Sequence, residues 1–198
     1  MGITNKSVLI AYGSRYGITE EISHEIAKAL ENEGPTTRIV DLKKKKLDWP
    51  SIKSSDGIVI GSGIKMMRWM REPRDFLKKH VGELKTREKV VGIFVSAGSA
   101  SIPRDQPKAR KDYIEKVLAD LGIEADISDA FGGALDLSPA SWAGFFDKRT
   151  LKLIAKEMAK DTDITIEEGS KNDLRDWEQI RTFARQFAEL VKEWGGST

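Results

Sequence analysis

The sequence predicts an α/β fold in which a doubly wound parallel sheet carries helices on both faces. Two observations support this class. Short apolar segments of strand length alternate with segments whose apolar residues recur at the helical period. The strand segments are also apolar at consecutive positions, as expected for strands buried on both faces. With 198 residues, no internal repeat and no low-complexity linker, the chain is predicted to form a single domain over residues 1–198.

The first half of the chain contains three predicted strands, Ser7–Tyr12, Thr36–Asp41 and Gly57–Ser62. Between the first two, Thr19–Asn32 has apolar residues near the 3.6-residue period, and Gly34 ends this predicted helix. Pro73 suits the first turn of a second helix. The ligand loops of such sheets follow the carboxyl ends of the strands, which directs attention to the segments after the first, third and fourth strands.

The second half continues with a strand, a helix and a fifth strand, at Val90–Ser96, Ala109–Leu121 and Ile127–Leu135. The alternation then stops. Asp136–Asp173 is predicted to be a long insertion that contains a helix at about Phe145–Lys160. A final amphipathic helix is predicted from its apolar spacing between Leu174 and Trp194.

Composition excludes several kinds of chemistry. The absence of cysteine rules out disulfides, thiolate catalysis and iron–sulfur ligation, and with only two histidines no metal site is expected. Redox chemistry would therefore need an organic cofactor. The net charge of +2 does not suggest nucleic-acid binding, and the run Lys43–Lys46 is interpreted as a solvated loop. No apolar run of membrane-spanning length or signal-peptide pattern is found, so a cytoplasmic protein is expected.

The first ligand loop, Gly13–Thr19, joins a strand to a helix. Helix N-termini attract anions, and the loop adds glycines and hydroxyls, so a single phosphate is a suitable guest. No lysine follows Gly17, which excludes a nucleoside-triphosphate P-loop, and Met66 stands where a Gly61-Ser62-Gly63 dinucleotide fingerprint needs its third glycine. The residues alone leave two alternatives open. The loop is a plain connection, or Thr19 uses its hydroxyl to cap the helix.

Three segments together resemble the flavodoxin family: "GSRYGITE" (Gly13–Glu20), "GSGIKMMRWM" (Gly61–Met70) and "SAGSAS" (Ser96–Ser101). The resemblance implies a five-stranded sheet of order 2-1-3-4-5 and noncovalently bound FMN. It implies that the phosphate lies on Ser14, Arg15, Tyr16, Gly17, Ile18 and Thr19. It further implies that the flavin ring is bordered by Ser62, Gly63, Ile64, Lys65 and Met66 and by Ser96, Ala97, Gly98 and Ser99.

The insertion and two further segments, "FGGALDLSPASW" (Phe131–Trp142) and "DWEQIRTFARQFAEL" (Asp176–Leu190), resemble the menaquinone-dependent protoporphyrinogen oxidase branch of flavodoxin-like proteins. This implies an FMN-dependent oxidoreductase that oxidises protoporphyrinogen with a quinone as acceptor, in which the flavin carries the chemistry and no side chain is catalytic. The family often forms homodimers. The alternatives are a flavodoxin-type electron-transfer protein with a redox-protein partner, although such carriers are usually strongly acidic, and a flavin-free binding module.

The substrate candidates are Met67, Arg68, Trp69 and Trp142. Methionine and tryptophan offer apolar contacts, and arginine pairs with carboxylates. The alternative is that Trp69 packs under the following helix while the cations are solvated. Four lysines along the predicted insertion helix suggest peripheral contact with the inner face of an anionic membrane, and the alternative is a helix that covers the sheet with a wet lysine flank.

Overall fold

A computed structural model describes residues 6–136, 167 and 169–195. Its strands in chain order are β1 (Ser7–Gly13), β2 (Thr36–Asp41), β3 (Gly57–Lys65), β4 (Arg68–Trp69), β5 (Val90–Ser96), β6 (Ile127–Phe131), β7 (Ala134–Asp136) and β8 (Lys171–Asp173). Five of them form a parallel sheet in the order β2-β1-β3-β5-β6. The predicted order 2-1-3-4-5 is confirmed in substance, because only the two-residue strand β4, which pairs antiparallel with β3, changes the numbering.

The helices in chain order are α1 (Ile18–Asn32), α2 (Trp49–Lys53), α3 (Arg71–Lys79), α4 (Val81–Lys85), α5 (Gln106–Arg110), α6 (Lys116–Leu121) and α7 (Trp177–Glu193). A π-helical turn (Lys111–Glu115) joins α5 to α6. One face of the sheet is covered by α1 and α7, and the other by the remaining helices. Helices on both faces satisfy the apolar strands, as the sequence predicted.

The predicted fifth strand, Ile127–Leu135, is wrong in its second half. The chain leaves the sheet after β6 and forms β7, which pairs antiparallel with β8 instead of continuing the parallel ladder. The reason lies at Gly132, where a Cβ would be 2.4 Å from the carbonyl oxygen of Leu174. The backbone therefore turns against the segment that precedes α7, a contact that only glycine allows.

Two other boundaries differ from the prediction. The helix expected from Ala109 already begins at Gln106 and contains the π-helical turn, which shifts the face of every residue behind it. The last helix begins at Trp177, because the carboxylate of Asp176 accepts hydrogen bonds from the first-turn N–H groups of α7. Leu174 therefore lies before the helix.

Most of the predicted insertion, including the expected helix at Phe145–Lys160 and the substrate candidate Trp142, lies outside the described residues. At the insertion's two ends, β7 and β8 bring residues 134–136 and 171–173 together. Among the described helices, none is both long enough and apolar enough to cross a membrane.

Candidate functional site

The carboxyl ends of β1, β3 and β5 bring the three predicted ligand loops to one edge of the sheet. In the strand register Gly13 lies beside Ser62, and Gly63 lies beside Ser96. Each loop follows directly from one of these positions. The edge is thus the ligand edge expected of a doubly wound sheet.

The first loop reaches α1 through Gly17, whose φ of 85° is in the left-handed region. The N–H of Gly17 donates to Ser14 Oγ at 3.0 Å, which closes a tight turn. No side chain caps α1. The capping alternative for Thr19 is wrong, because Thr19 is the second residue of the helix and is only 2% exposed.

The first turn of α1 keeps its anion-binding capacity. The first backbone bond that returns to the loop is donated by the N–H of Glu21 to the carbonyl of Gly17. The N–H groups of Ile18, Thr19 and Glu20 precede it and find no acceptor among the described residues. Together with the positive end of the helix dipole, these donors suit a phosphate.

Two acidic residues in that first turn would repel a phosphate if they faced it. Glu21 instead pairs with Arg175 at 2.6 Å and with Lys171 at 3.2 Å. Burial by itself would raise the pKa of Glu21, but the hydrogen bonds from these two cations lower that pKa below its usual value. The carboxylate is therefore ionised and its charge is compensated within the protein.

Arg175 is the centre of this compensation. Its side chain is 2% exposed, and it also binds Asp173 through two hydrogen bonds and stacks over Trp177, with its guanidinium carbon 4.3 Å from the ring centroid. Glu20, the other first-turn acid, engages the hydroxyl of Tyr12. Burial first and this hydrogen bond second raise the pKa of Tyr12 above its usual range, so the phenol remains a donor.

The second loop is a β-hairpin. Ile64 pairs with Trp69 and Lys65 with Arg68, which leaves Met66 and Met67 as a two-residue turn. Their φ angles are 48° and 60°, so both lie in the left-handed region that type I′ hairpin turns require and that asparagine and glycine normally occupy. Both side chains point into solvent, 84% and 72% exposed. The backbone of the turn is strained, and the two exposed side chains contribute little packing that would offset this strain. Strain of this kind is typical of functional loops.

The base of the hairpin is held firmly. The hydroxyl of Ser62 accepts from the N–H of Met70 at 3.0 Å and donates to the carbonyl of Gly63. Trp69 is buried, and its indole N–H donates to the carbonyl of Tyr113 at 2.6 Å. Trp69 thus packs in the core, as the structural alternative expected.

The third loop forms one 3₁₀ turn, Gly98–Ser101, after β5. The side chain of Gln106 donates to the carbonyl of Ala100, and the hydroxyl of Ser101 accepts from the N–H of Gly133. The turn is thereby tied to α5 and to the segment after β6. Gly98 and Ser99 remain exposed at the ligand edge.

The predicted cofactor residues divide by exposure. Four have buried side chains that lie within the fold: Thr19, Ser62, Ser96 and Ala97. The others are half-buried or exposed along the edge: Ser14, Arg15, Tyr16, Gly17, Ile18, Gly63, Ile64, Lys65, Met66, Gly98 and Ser99. The loops therefore present backbone N–H groups and a few exposed side chains rather than a row of hydroxyls.

Sequence reasoning missed the two residues that compensate Glu21. Arg175 and Lys171 lie far along the chain from the first loop, and no spacing rule connects them to it. The hairpin was also missed, because Met66-Met67 lacks the Asn-Gly signal of a type I′ turn. Within the described ranges, no three His, Cys, Asp or Glu side chains form a group that holds a metal ion.

The chain is similar in sequence to known proteins over most of its length. The sequence profile of the Flavodoxin domain family matches residues 9–165. The protoporphyrinogen IX dehydrogenase [quinone] of Escherichia coli K12 is 27% identical over 184 residues, which cover 92% of this chain and 95% of the relative.

Solved structures agree on the fold. A flavodoxin from the domain Archaea superposes with a TM-score of 0.51 at 13% identity and covers 94% of this chain and 99% of its own. The rubredoxin oxygen:oxidoreductase of Desulfovibrio gigas superposes with a TM-score of 0.57 at 16% identity over 95% of this chain. This chain spans only 37% of that larger protein.

Proposed function

We propose that this chain, which belongs to the Flavodoxin domain family and has FMN as its cofactor, is an oxidoreductase that oxidises protoporphyrinogen and passes the electrons to a quinone. The observation that carries the proposal is the hairpin of β3 and β4. Beside the candidate cofactor loops it exposes Met66 and Met67, with Lys65 and Arg68 at its two sides. The end-to-end match to the E. coli enzyme supports the same reaction.

The first loop fits the phosphate of FMN. Its helix start has free N–H groups and no side-chain cap, and its two acids are engaged by Arg175 and Tyr12. Ser14–Thr19 would hold the phosphate, and Ser62–Met66 with Ser96–Ser99 would border the ring. When bound, FMN supplies the oxidation–reduction chemistry itself.

The side chains of the hairpin are proposed to bind and orient the substrate. Methionine side chains adapt to apolar ligands of irregular shape, and Met66 and Met67 are free to do so because both are largely exposed. Lys65 and Arg68 face each other across the hairpin and supply positive charge for carboxylates. A porphyrinogen has this combination of a large apolar ring and two carboxylate arms.

The proposed acceptor bears on where the protein works. Quinones reside in membranes, so we propose that the protein meets its acceptor at a membrane surface, and a cytoplasmic location would make this the inner face. The lysine-rich segment expected to make that contact lies outside the described residues, and homodimer formation also remains a prediction. Sedimentation of the FMN-loaded protein with vesicles that contain anionic lipid and quinone would test the membrane contact.

The first experiment is a fluorescence titration of FMN with flavin-stripped protein. We expect submicromolar quenching with FMN and much weaker binding of riboflavin, because riboflavin lacks the phosphate. The FMN-loaded protein is then given protoporphyrinogen and a menaquinone analogue under anaerobic conditions. Porphyrin formation coupled to quinone reduction would support the enzyme. An FMN-loaded protein without this activity that reduces a redox-protein partner would favour the electron-carrier alternative.

A further inference from the structure

A pocket of about 540 Å³ lies beside the hairpin, between β4, α3 and the segment from the π-helical turn to α6. Its volume is in the range of small-molecule sites. Met67 and Arg68 line it, so the pocket begins on the same hairpin that borders the candidate cofactor loops. We call it the hairpin pocket.

Three cations line the hairpin pocket: Arg68 on β4, and Arg74 and Lys78 on α3. All three are exposed, and in the described part of the chain none of them forms an ion pair. Arg74 and Lys78 are one helical turn apart on the same face, an arrangement of like charges that destabilises a helix slightly. By contrast Arg71, on the same helix, pairs with Asp75 at 3.2 Å.

The acids of the hairpin pocket do not balance these cations. Asp112 is bound by Lys108 and, at 2.6 Å, by Lys116, and these hydrogen bonds lower its pKa to about 2. Its charge is therefore already compensated. Asp120 is the remaining acid that lines the pocket. With Asp120 set against three cations, the local charge remains positive.

The wall of the pocket is apolar and rigid. Trp69 is held by its hydrogen bond to the carbonyl of Tyr113, which the π-helical turn presents toward the hairpin. Such turns occur often at functional sites. The side chains of Tyr113, Val117 and Leu121 complete the wall and are half-buried.

We propose that the hairpin pocket binds the carboxylate-bearing edge of the porphyrin substrate and product, with Arg68, Arg74 and Lys78 as the carboxylate partners. The inference rests on the proposed function and gives it a substrate-binding site. Arginine forks match carboxylates bidentately, and the half-buried ring of Tyr113, which packs beside the buried Trp69, is available for contact with a pyrrole ring. A small inorganic anion would use the cations and leave this wall without a contact.

The test uses FMN-loaded protein and a matched pair of ligands, protoporphyrin and its dimethyl ester, which has no carboxylates. We expect the variant Arg68→Ala/Arg74→Ala/Lys78→Ala to weaken protoporphyrin binding at least about tenfold, because three charged contacts are lost. Dimethyl ester binding should change less than about twofold. The affinity for FMN and the melting temperature should stay near wild type, since all three side chains are exposed.

The control removes the same charge elsewhere. Lys28, Lys53 and Lys85 are exposed lysines outside the pocket, and among the described residues they form no ion pair. Lys28→Ala/Lys53→Ala/Lys85→Ala should leave protoporphyrin binding unchanged. Equal weakening in the control would mean a general charge effect and would overturn the proposal. So would unchanged protoporphyrin binding in the pocket variant.

The site and the reaction can fail separately. Wild-type protein that binds protoporphyrin through the three cations but does not oxidise protoporphyrinogen would refute the reaction and keep the site. Active protein whose pocket variant has an unchanged KM would keep the reaction and refute the site. A second variant, Arg68→Lys/Arg74→Lys, retains the charge and removes the forks, and we expect it to fall between wild type and the alanine variant.

Discussion

The first loop and the hairpin border the same edge of the sheet, but they differ in how their charges are paired and in which residues occupy left-handed backbone positions. At the first loop, Glu21 in the adjoining turn of α1 is paired with a buried arginine, and the one left-handed residue of the loop is a glycine. In the hairpin, the left-handed positions are two methionines, and the charge of Arg68 has no partner among the described residues.

The difference indicates different tasks. The first loop is internally satisfied apart from the N–H groups of one helix end, which suits a cofactor that stays bound. The hairpin keeps exposed apolar side chains, unpaired charge and backbone strain, which suits a ligand that arrives and leaves. Changes in the first loop should therefore act mainly on FMN binding, and changes at the tip and outer strand of the hairpin mainly on substrate binding.

The largest effect is expected for Arg175→Ala. The substitution removes a buried cation and leaves Glu21 and Asp173 without it, and because both acids are partly exposed we expect a loss of about 2 kcal/mol in the free energy of unfolding. FMN affinity should fall roughly tenfold, since Glu21 then keeps only its pair with Lys171 and its charge beside the phosphate site is less compensated. Denaturant unfolding and flavin titration measure the two effects.

The control for this prediction is Arg181→Ala. Arg181 pairs with Glu25, one turn further along α1, and is half-exposed. Its removal should cost under about 1 kcal/mol and leave FMN affinity unchanged. The double variant Arg175→Ala/Glu21→Gln should recover most of the FMN affinity, and a failure to recover it would contradict an electrostatic role for Arg175.

Gly17→Ala is expected to have the next largest effect. A Cβ at Gly17 meets open space, with its nearest neighbour 4.0 Å away, so the penalty comes from the φ of 85°. We expect a loss of roughly 1–2 kcal/mol in the free energy of unfolding. Relative to wild type, the affinity for FMN should fall by a larger factor than the affinity for riboflavin, which has no phosphate. Gly82→Ala, at a helical position with open space, is the matched substitution and should be close to neutral. Equal losses in both variants would refute the conformational argument.

The hairpin is expected to respond in the opposite direction. Met66→Asn/Met67→Gly places the residues that a type I′ turn prefers at its two left-handed positions, so we expect a gain of roughly 1–2 kcal/mol in stability. Thermal unfolding should shift upward by about 2–4 °C per kcal/mol. The KM for the porphyrinogen should rise by a larger factor than the Kd for FMN, because the FMN phosphate is proposed to lie on the first loop and Met66 borders only the ring. A more stable variant with an unchanged KM would show that the two methionines do not contact the substrate.

The smallest effect is a pH dependence. The pKa values of Glu21 and Asp173 are lowered in the folded protein, mainly through hydrogen bonds that Arg175 donates against the opposing effect of burial. The unfolded state therefore binds more protons at acidic pH. The stabilising contribution of these two carboxylates is fully present above their pKa in the unfolded state, and it is lost as the pH falls through their lower pKa in the folded state. Between about pH 5 and pH 3 we expect a loss below roughly 1 kcal/mol in the free energy of unfolding, measured by denaturant unfolding at each pH. The loss should be smaller in Arg175→Ala, where Lys171 still lowers the pKa of Glu21.

Much of the fold was predictable because its signals are local. Thr36–Asp41 and Val90–Ser96 agree with their predicted bounds. Val90–Ser96 is buried at every position and forms a nearly continuous apolar run. Thr36–Asp41 lies at the edge of the sheet, where only Val40 is buried, and its start is marked by the turn residues Gly34 and Pro35 before it. The error at Ile127–Leu135 has a tertiary cause, because the contact of Gly132 with Leu174 ends the parallel ladder and joins segments that are far apart in the chain. Periodicity does not report such a contact.

The sequence by itself determined the alternation of strands and helices, the glycine at the left-handed start of α1 and the lack of cysteine chemistry, because each depends on residue type and near-neighbour spacing. Only the tertiary structure decided that Arg175 compensates Glu21 and that Arg68, Arg74 and Lys78 meet over a wall held by Trp69. These arrangements join separate elements. The physical reason is that charge compensation and burial depend on distances in space, which local patterns do not specify.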